Sequence, residues 1–308
     1  MPVVLSSDST IYIFAENSKY MKANTYNLAM DILRSPWLIS EPDKMAAIAR
    51  DFLHKAPVRM DVSAKKPYGI SEARAGSVEE GTNTGSSKKK KCMVVPLHGT
   101  MTKYDNCTNY GTADLAESIK RFADDPSVVG LVMDIDSGGG SSNAVPPLLE
   151  AIAYFKGTGK PIFAHCDLCC SAAYWIASQC DSIYMDNKLS EVGSIGAYYM
   201  FVDDSAPNPT TGERYITVYA EESSDKNYSY RQALEGNVKP AQEELSRLVS
   251  VFQEDVKAGR PNIKAKESGV MTGRTFVTED AITLGMADAQ RTLAETVEAV
   301  FALAGLNN

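Results

Sequence analysis

Three segments of this chain hold residue types whose order and spacing could carry out chemistry. The first is Ile135-Asp136-Ser137-Gly138-Gly139-Gly140, three glycines that close an apolar, β-branched run. A glycine turn at a strand end leaves backbone N–H groups bare, and bare N–H groups ahead of a helix attract anions. The spacing fits neither GxGxxG nor the GxxxxGK phosphate loop, so a nucleotide lacks its signature. An oxyanion hole and a ligand-free turn both stay open for this segment taken alone.

The second segment is Cys169-Cys170-Ser171-Ala172-Ala173-Tyr174-Trp175, in which a serine follows a strand and heads an alanine-rich helix. A hydroxyl at such an elbow is exposed on one side, and the N–H that follows it points to the same place, as in serine nucleophiles. An N-cap serine is the plain structural reading of the same pattern. Pairing with the glycine turn upstream shifts the balance, because a nucleophile and oxyanion donors at neighbouring strand ends make an acyl-transfer site.

A serine nucleophile needs a base. The histidines are His54, His98 and His165, all upstream of Ser171, and His165 fits a core or sheet-edge role. The third segment, Ser223-Ser224-Asp225-Lys226-Asn227-Tyr228, offers Lys226 on a polar stretch. A free lysine is neutral in only about one molecule in a few thousand at pH 7, so a lysine base must be desolvated. A depression of about three units corresponds to about 4 kcal/mol, which apolar packing can supply. Taken alone, Lys226 reads as a surface lysine.

The elements that would position these residues follow from patterning. The chain has 308 residues, 44% hydrophobic and 23% charged, which suits a globular protein of one or two domains. Lys plus Arg number 31 against 39 Asp plus Glu, a net charge of −8 that argues against nucleic acid as a partner. No run nears the roughly 18 apolar residues of a membrane helix, and Met1–Thr10 lacks a signal-peptide layout, so an intracellular, cytoplasmic location without a membrane anchor is expected. The six cysteines then read as thiols.

Residues 1–62 carry two helical patterns, Ala23–Leu33 and Pro42–Leu53, and are expected to form a small helical appendage. Residues 63–91 end in GSVEEGTNTGSSKKKK and read as a flexible linker. From residue 92 to 308, strands and helices alternate. Strands are expected at Cys92–Leu97, Val128–Ile135, Pro161–His165, Ser182–Asp186, Ala197–Asp203 and Tyr215–Tyr219. Helices are expected at Asp114–Ala123, Pro146–Lys156, from Ala172, Pro240–Lys257 and Thr292–Leu303. The alternation predicts an α/β fold with a mainly parallel sheet and flanking helices.

The motifs Asp136-Ser137-Gly138-Gly139-Gly140, Ser171-Ala172-Ala173-Tyr174, Val192-Gly193-Ser194-Ile195-Gly196 and Thr272-Gly273-Arg274-Thr275-Phe276, with Leu284-Gly285-Met286-Ala287-Asp288, occur in that order. Together they resemble the signal peptide peptidase A family, and more narrowly its phage-encoded members that process capsid proteins. The resemblance spans about residues 92–290. It implies a core of the ClpP/crotonase type and a serine–lysine dyad, with Ser171 as nucleophile and Lys226 as general base. It also implies an oxyanion hole from the N–H groups of Gly139, Gly140 and Ala172. No cofactor and no metal are expected. The implied partners are protein substrates (capsid, scaffold or portal proteins) and further copies of the chain in a homo-oligomer. Gly138 stands where the family usually has Pro, and Cys169 and Cys170 replace the commoner Ala or Tyr. Lys188 and Lys239 are fallback bases.

Competing readings are an inactive assembly factor on the same fold and a crotonase-like acyl-CoA enzyme, for which no basic cluster lies near the glycine turn. A zinc site at His165-Cys166-Asp167-Leu168-Cys169-Cys170 lacks the second ligand pair that such sites require.

Overall fold

The computed structural model describes residues 12–13, 21–22, 37–39, 70–74, 90–104, 111–201, 203, 206–207, 212, 214 and 216–305. The expected helices at 23–33 and 42–53 lie outside these residues, as does Cys107. Near the N-terminus, β1 (Tyr12–Ile13) pairs with β2 (Met21–Lys22), and β3 (Trp37–Ile39) is a three-residue strand in the stretch between the two expected helices. Within the stretch read as linker, β4 (Ser71–Arg74) pairs antiparallel with β5 (Lys91–His98).

Then come α1 (Thr112–Asp124), β6 (Val128–Ser137), β7 (Gly139–Ser141), α2 (Val145–Gly157), β8 (Ile162–Cys170), α3 (Ala172–Ala177), β9 (Ser182–Met185) and β10 (Glu191–Gly193). The C-terminal part adds α4 (Tyr228–Leu234), α5 (Lys239–Gly259), β11 (Thr275–Val277), α6 (Thr278–Thr283), β12 (Ala289–Gln290) and α7 (Leu293–Leu303). Strands β5, β6 and β8 pair in parallel, and β8 forks. Its first half pairs with β9 and its last three residues with β10, both in parallel. β11 closes the β10 edge in antiparallel sense. The fold is therefore α/β with a mainly parallel sheet and flanking helices, as the alternation of patterns implies.

The central strand β6 shows why. Leu131, Met133 and Ile135 face a core shared with Ile119 of α1 and with Leu148, Ile152 and Phe155 of α2. Val132 faces the other way, into a cluster with Phe163 and with Val297, Val300 and Phe301 of α7. A parallel strand covered by helices on both faces must be apolar at nearly every position, which is the continuous run VVGLVMDI. Helix α7 starts on a capping box in which Thr292 Oγ1 accepts from the Glu295 N–H and the Glu295 carboxylate accepts from the Thr292 N–H.

Among the described residues of 197–203 and 215–219, no strand forms. After β10 the chain passes through two left-handed residues, Gly193 at φ 118° and Ser194 at φ 54°, and leaves the sheet. Both edges of β10 are already taken by β8 and β11, so 197–203 finds no free neighbour there. Its aromatic residues pack locally instead, Tyr199 on Phe201 at 5.5 Å and Phe201 on Tyr230 at 5.6 Å between ring centroids. Residues 216–219 likewise lie outside any strand, with Ile216 and Val218 79% and 86% exposed.

Candidate active site

Ser171 sits where β8 ends and α3 begins. Its backbone, at φ 55° and ψ −121°, lies outside the regions comfortable for an L-residue. Such a kink makes a sharp strand-to-helix elbow, a backbone geometry that can present a serine hydroxyl as a nucleophile. The side chain is 1% exposed. The Ser171 N–H donates to the Gly193 carbonyl at 2.7 Å, its hydroxyl donates to the Gly196 carbonyl at 3.5 Å, and its own carbonyl accepts from the Trp175 N–H.

The surrounding motifs converge on this residue. β10, which carries Gly193, pairs with β8 through Val192 opposite Cys169 and Gly193 opposite Cys170. β10 is held on its other side by Thr275 and Phe276 of β11, and the Ser194 N–H donates to the Arg274 carbonyl at 2.9 Å. A Cβ on Gly193 would come within 2.6 Å of that same carbonyl, so the close approach requires glycine. Tyr174 reaches the Met286 carbonyl at 3.0 Å. Asp288 clasps Arg260 through two hydrogen bonds of 2.8 and 2.9 Å and also accepts from the Ile183 N–H at 2.7 Å. Trp175 stacks on Phe252 at 4.5 Å and donates to Asp255 at 2.8 Å, fixing the short helix behind Ser171 against α5.

The glycine turn lies alongside, with β7 packed on α3. Met101 donates its N–H to the Gly139 carbonyl, and its carbonyl accepts from the Ser141 N–H, both at 2.9 Å. A Cβ on Gly140 would collide with the Met101 backbone. Of the three expected oxyanion donors, the Gly139 N–H is turned to Ser137 Oγ at 3.1 Å, and Ser137 Oγ in turn donates to the Gly99 carbonyl at 2.6 Å. Gly140 is the register partner of Leu38 in β3. The Ala172 N–H opens α3, where no intrahelical acceptor exists.

Lys226 lies on the exposed turn between Glu221–Ser223 and α4, its backbone N–H donating to the Ser223 carbonyl. No hydrogen bond among the described residues joins its amine to Ser171. Lys188 and Lys239 are also exposed.

The remaining sequence candidates have structural places. His165 is buried and bridges two carboxylates, Nδ1 to Asp134 at 2.9 Å and Nε2 to Asp186 at 3.1 Å. Both ring nitrogens are thus engaged. His98 reaches the other oxygen of Asp134 at 3.2 Å, which raises the His98 pKa above its ordinary value. Cys92, Cys166, Cys169, Cys170 and Cys180 carry buried thiols with no disulfide. Burial pushes Cys92 up to about 12 and Cys169 well above the ordinary range, so these thiols are poor nucleophiles. The carbonyls of Gly193 and Gly196 are contacts of Ser171 that the sequence motif V-G-S-I-G contains without revealing their role. No helix among the described residues is long and apolar enough to cross a membrane.

Comparison with known proteins adds an independent line. The family model described as Peptidase family S49 matches residues 154–307. Protease 4 of Haemophilus influenzae is 27% identical over 204 residues, which cover 64% of this chain and 32% of that protein. The chain therefore spans about a third of the length of that curated relative. Among solved structures, the 1510-N membrane-bound stomatin-specific protease is 14% identical with a TM-score of 0.34, covering 67% of this chain and 82% of its own. An enoyl-CoA hydratase from Shewanella pealeana is 9% identical with a TM-score of 0.42, covering 80% of this chain and 76% of its own.

Proposed function

The chain belongs to peptidase family S49, and on that premise we propose that it is a serine endopeptidase in which Ser171 is the nucleophile and Lys226 the general base. The observation that carries this reading is the Ser171 backbone, a buried serine held at φ 55° on a strand-to-helix elbow. Strain of this kind costs about 1–3 kcal/mol and persists where the surroundings over-determine it. Here β10, β11 and α5 supply those surroundings.

In the reaction, neutral Lys226 removes the proton from Ser171 Oγ as it attacks the scissile carbonyl. The resulting oxyanion is held by the Ala172 N–H and, once released from Ser137 Oγ and from Leu38, by the N–H groups of Gly139 and Gly140. Lys226 then passes the proton to the leaving amine and activates the water that hydrolyses the acyl-enzyme.

A homo-oligomer completes the site. Lys226 is exposed in the single chain, and a lysine base has to be desolvated. Ile216 and Val218, on the segment leading to it, are also exposed. Burying this apolar segment against a second copy would bring Lys226 out of water and beside a neighbour's Ser171.

The substrates are proteins, and by motif resemblance they are capsid, scaffold or portal proteins of an assembling phage head. Mass spectrometry of the products formed on co-expressed structural proteins tests this, with Ser171→Ala and Lys226→Ala as controls. Defined cuts that vanish in both variants are expected. Cuts that persist in Ser171→Ala would remove the peptidase assignment.

A further inference from the structure

β7 (Gly139–Ser141), beside Ser171, is a strand with two edges, and both are occupied. On one edge Met101 takes the Gly139 carbonyl and the Ser141 N–H. In a strand, successive residues direct their N–H and C=O groups to opposite edges, so Gly140 turns both of its groups to the other side. There its register partner is Leu38, in an antiparallel ladder that also pairs Trp37 with Ser141 and Ile39 with Gly139. Leu38 and Gly140 therefore form the pair that exchanges both backbone hydrogen bonds.

We infer that β3 is a resident pseudo-substrate, a segment of the chain itself that occupies the peptide-binding edge of the active site and keeps the protein latent. The inference rests on the peptidase reading above. An extended peptide adds to an exposed strand edge through main-chain hydrogen bonds, and Trp37–Ile39 already makes those bonds. While it does, Gly140 N–H is paired to Leu38; separately, Gly139 N–H donates to Ser137 Oγ. β3 thereby takes the Gly140 donor out of use, while the Gly139 donor is engaged within its own turn by Ser137. Pro36 and Pro42 bracket the segment in sequence, and proline has no N–H to donate to a ladder. A three-residue ladder is short enough to be displaced by a longer substrate, which suits a block that is released on demand.

The test uses the full chain. Leu38→Pro removes the one N–H that β3 donates to Gly140, whereas Leu38→Ala keeps it. Hydrolysis of casein should rise at least tenfold in Leu38→Pro and stay at the wild-type rate in Leu38→Ala. A synthetic peptide of residues 33–43 should then inhibit Leu38→Pro competitively, raising KM with kcat unchanged. Equal hydrolysis by all three proteins, with Ser171 equally reactive toward a fluorophosphonate, overturns the inference and leaves the peptidase reading intact. No hydrolysis and no labelling of Ser171 in any of them overturns both. Hydrogen exchange keeps the test open should Leu38→Pro fail to fold. In Ser171→Ala the Leu38 amide should be protected, and an excess of the 33–43 peptide should expose it. An amide that exchanges freely from the start, or stays protected with the peptide bound, contradicts the inference.

Discussion

Ser171 donates its backbone N–H to the carbonyl of Gly193 at 2.7 Å, and this bond ties the elbow of β8 to the neighbouring strand β10. Ser171 is therefore positioned by a strand that follows it in sequence. β10 is in turn positioned by β11, from much further along the chain. Geometry at one serine depends on segments spread over most of the C-terminal half.

Replacing Gly193 should test that dependence. In Gly193→Ala the new Cβ meets the Arg274 carbonyl at 2.6 Å, at a residue whose φ is 118°. A loss of about 2–4 kcal/mol in unfolding free energy is expected, along with loss of hydrolysis, read from urea denaturation and casein turnover.

Ser171→Gly should separate stability from function. Glycine tolerates φ 55° and ψ −121° without the steric cost that serine bears, so the variant should be more stable by about 1 kcal/mol while losing all hydrolysis. The urea midpoint of the variant against wild type measures this. A lower midpoint would mean that the Ser171 contacts outweigh the strain.

Asp288 should prove structural. Removing it leaves Arg260, 7% exposed, without its carboxylate, and stranding a buried charge costs about 3–5 kcal/mol. Asp288→Ala should lower the denaturation midpoint accordingly, whereas the surface change Lys257→Ala should not.

The His98–Asp134–His165 cluster predicts a pH dependence of stability. The hydrogen bond that His98 donates to Asp134 raises the His98 pKa, so its stabilising contribution is complete below the unfolded value of about 6.5 and is lost as pH rises through the raised value. Asp134 behaves oppositely. Burial opposes its ionisation, but hydrogen bonds from His165 and His98 outweigh burial and hold its carboxyl well below the usual range. Its contribution is present above the unfolded value of about 3.9 and is lost as pH falls through the depressed one. Urea midpoints measured across pH should decline above about 6.5 in wild type, and His98→Gln should remove that decline.

Much of the core was legible because its physics is local. Val128–Ile135 and Pro161–His165 are dense apolar runs that only a strand buried on both faces would carry, and the structure extends them to Ser137 and Cys170. The amphipathic stripe of Pro240–Lys257 lies within α5. The short strands were not legible. Ser71–Arg74 reads SEAR, a polar segment that becomes a strand because β5 offers it an edge. Trp37–Ile39 likewise takes its place from β7. The reverse holds for 197–203, whose aromatic and β-branched residues suit a strand but whose neighbour β10 has no edge left. At the site, Ser171 could be singled out from its elbow and its pairing with the glycine turn. The left-handed backbone that makes it an elbow, and the carbonyls of Gly193 and Gly196 that hold it, are set by tertiary packing. Lys226 rests on resemblance, since a polar turn carries no periodicity to mark one lysine among its neighbours.

The central claim is that Ser171 is an activated nucleophile. Treating the full chain with a fluorophosphonate and mapping the adduct by peptide mass spectrometry tests it most directly. A single adduct on Ser171 that is absent from Ser171→Ala and slowed at least tenfold in Lys226→Ala is the predicted result. Ser171 left unmodified while the probe reacts elsewhere, or labelling undiminished in Ser171→Ala, would contradict it.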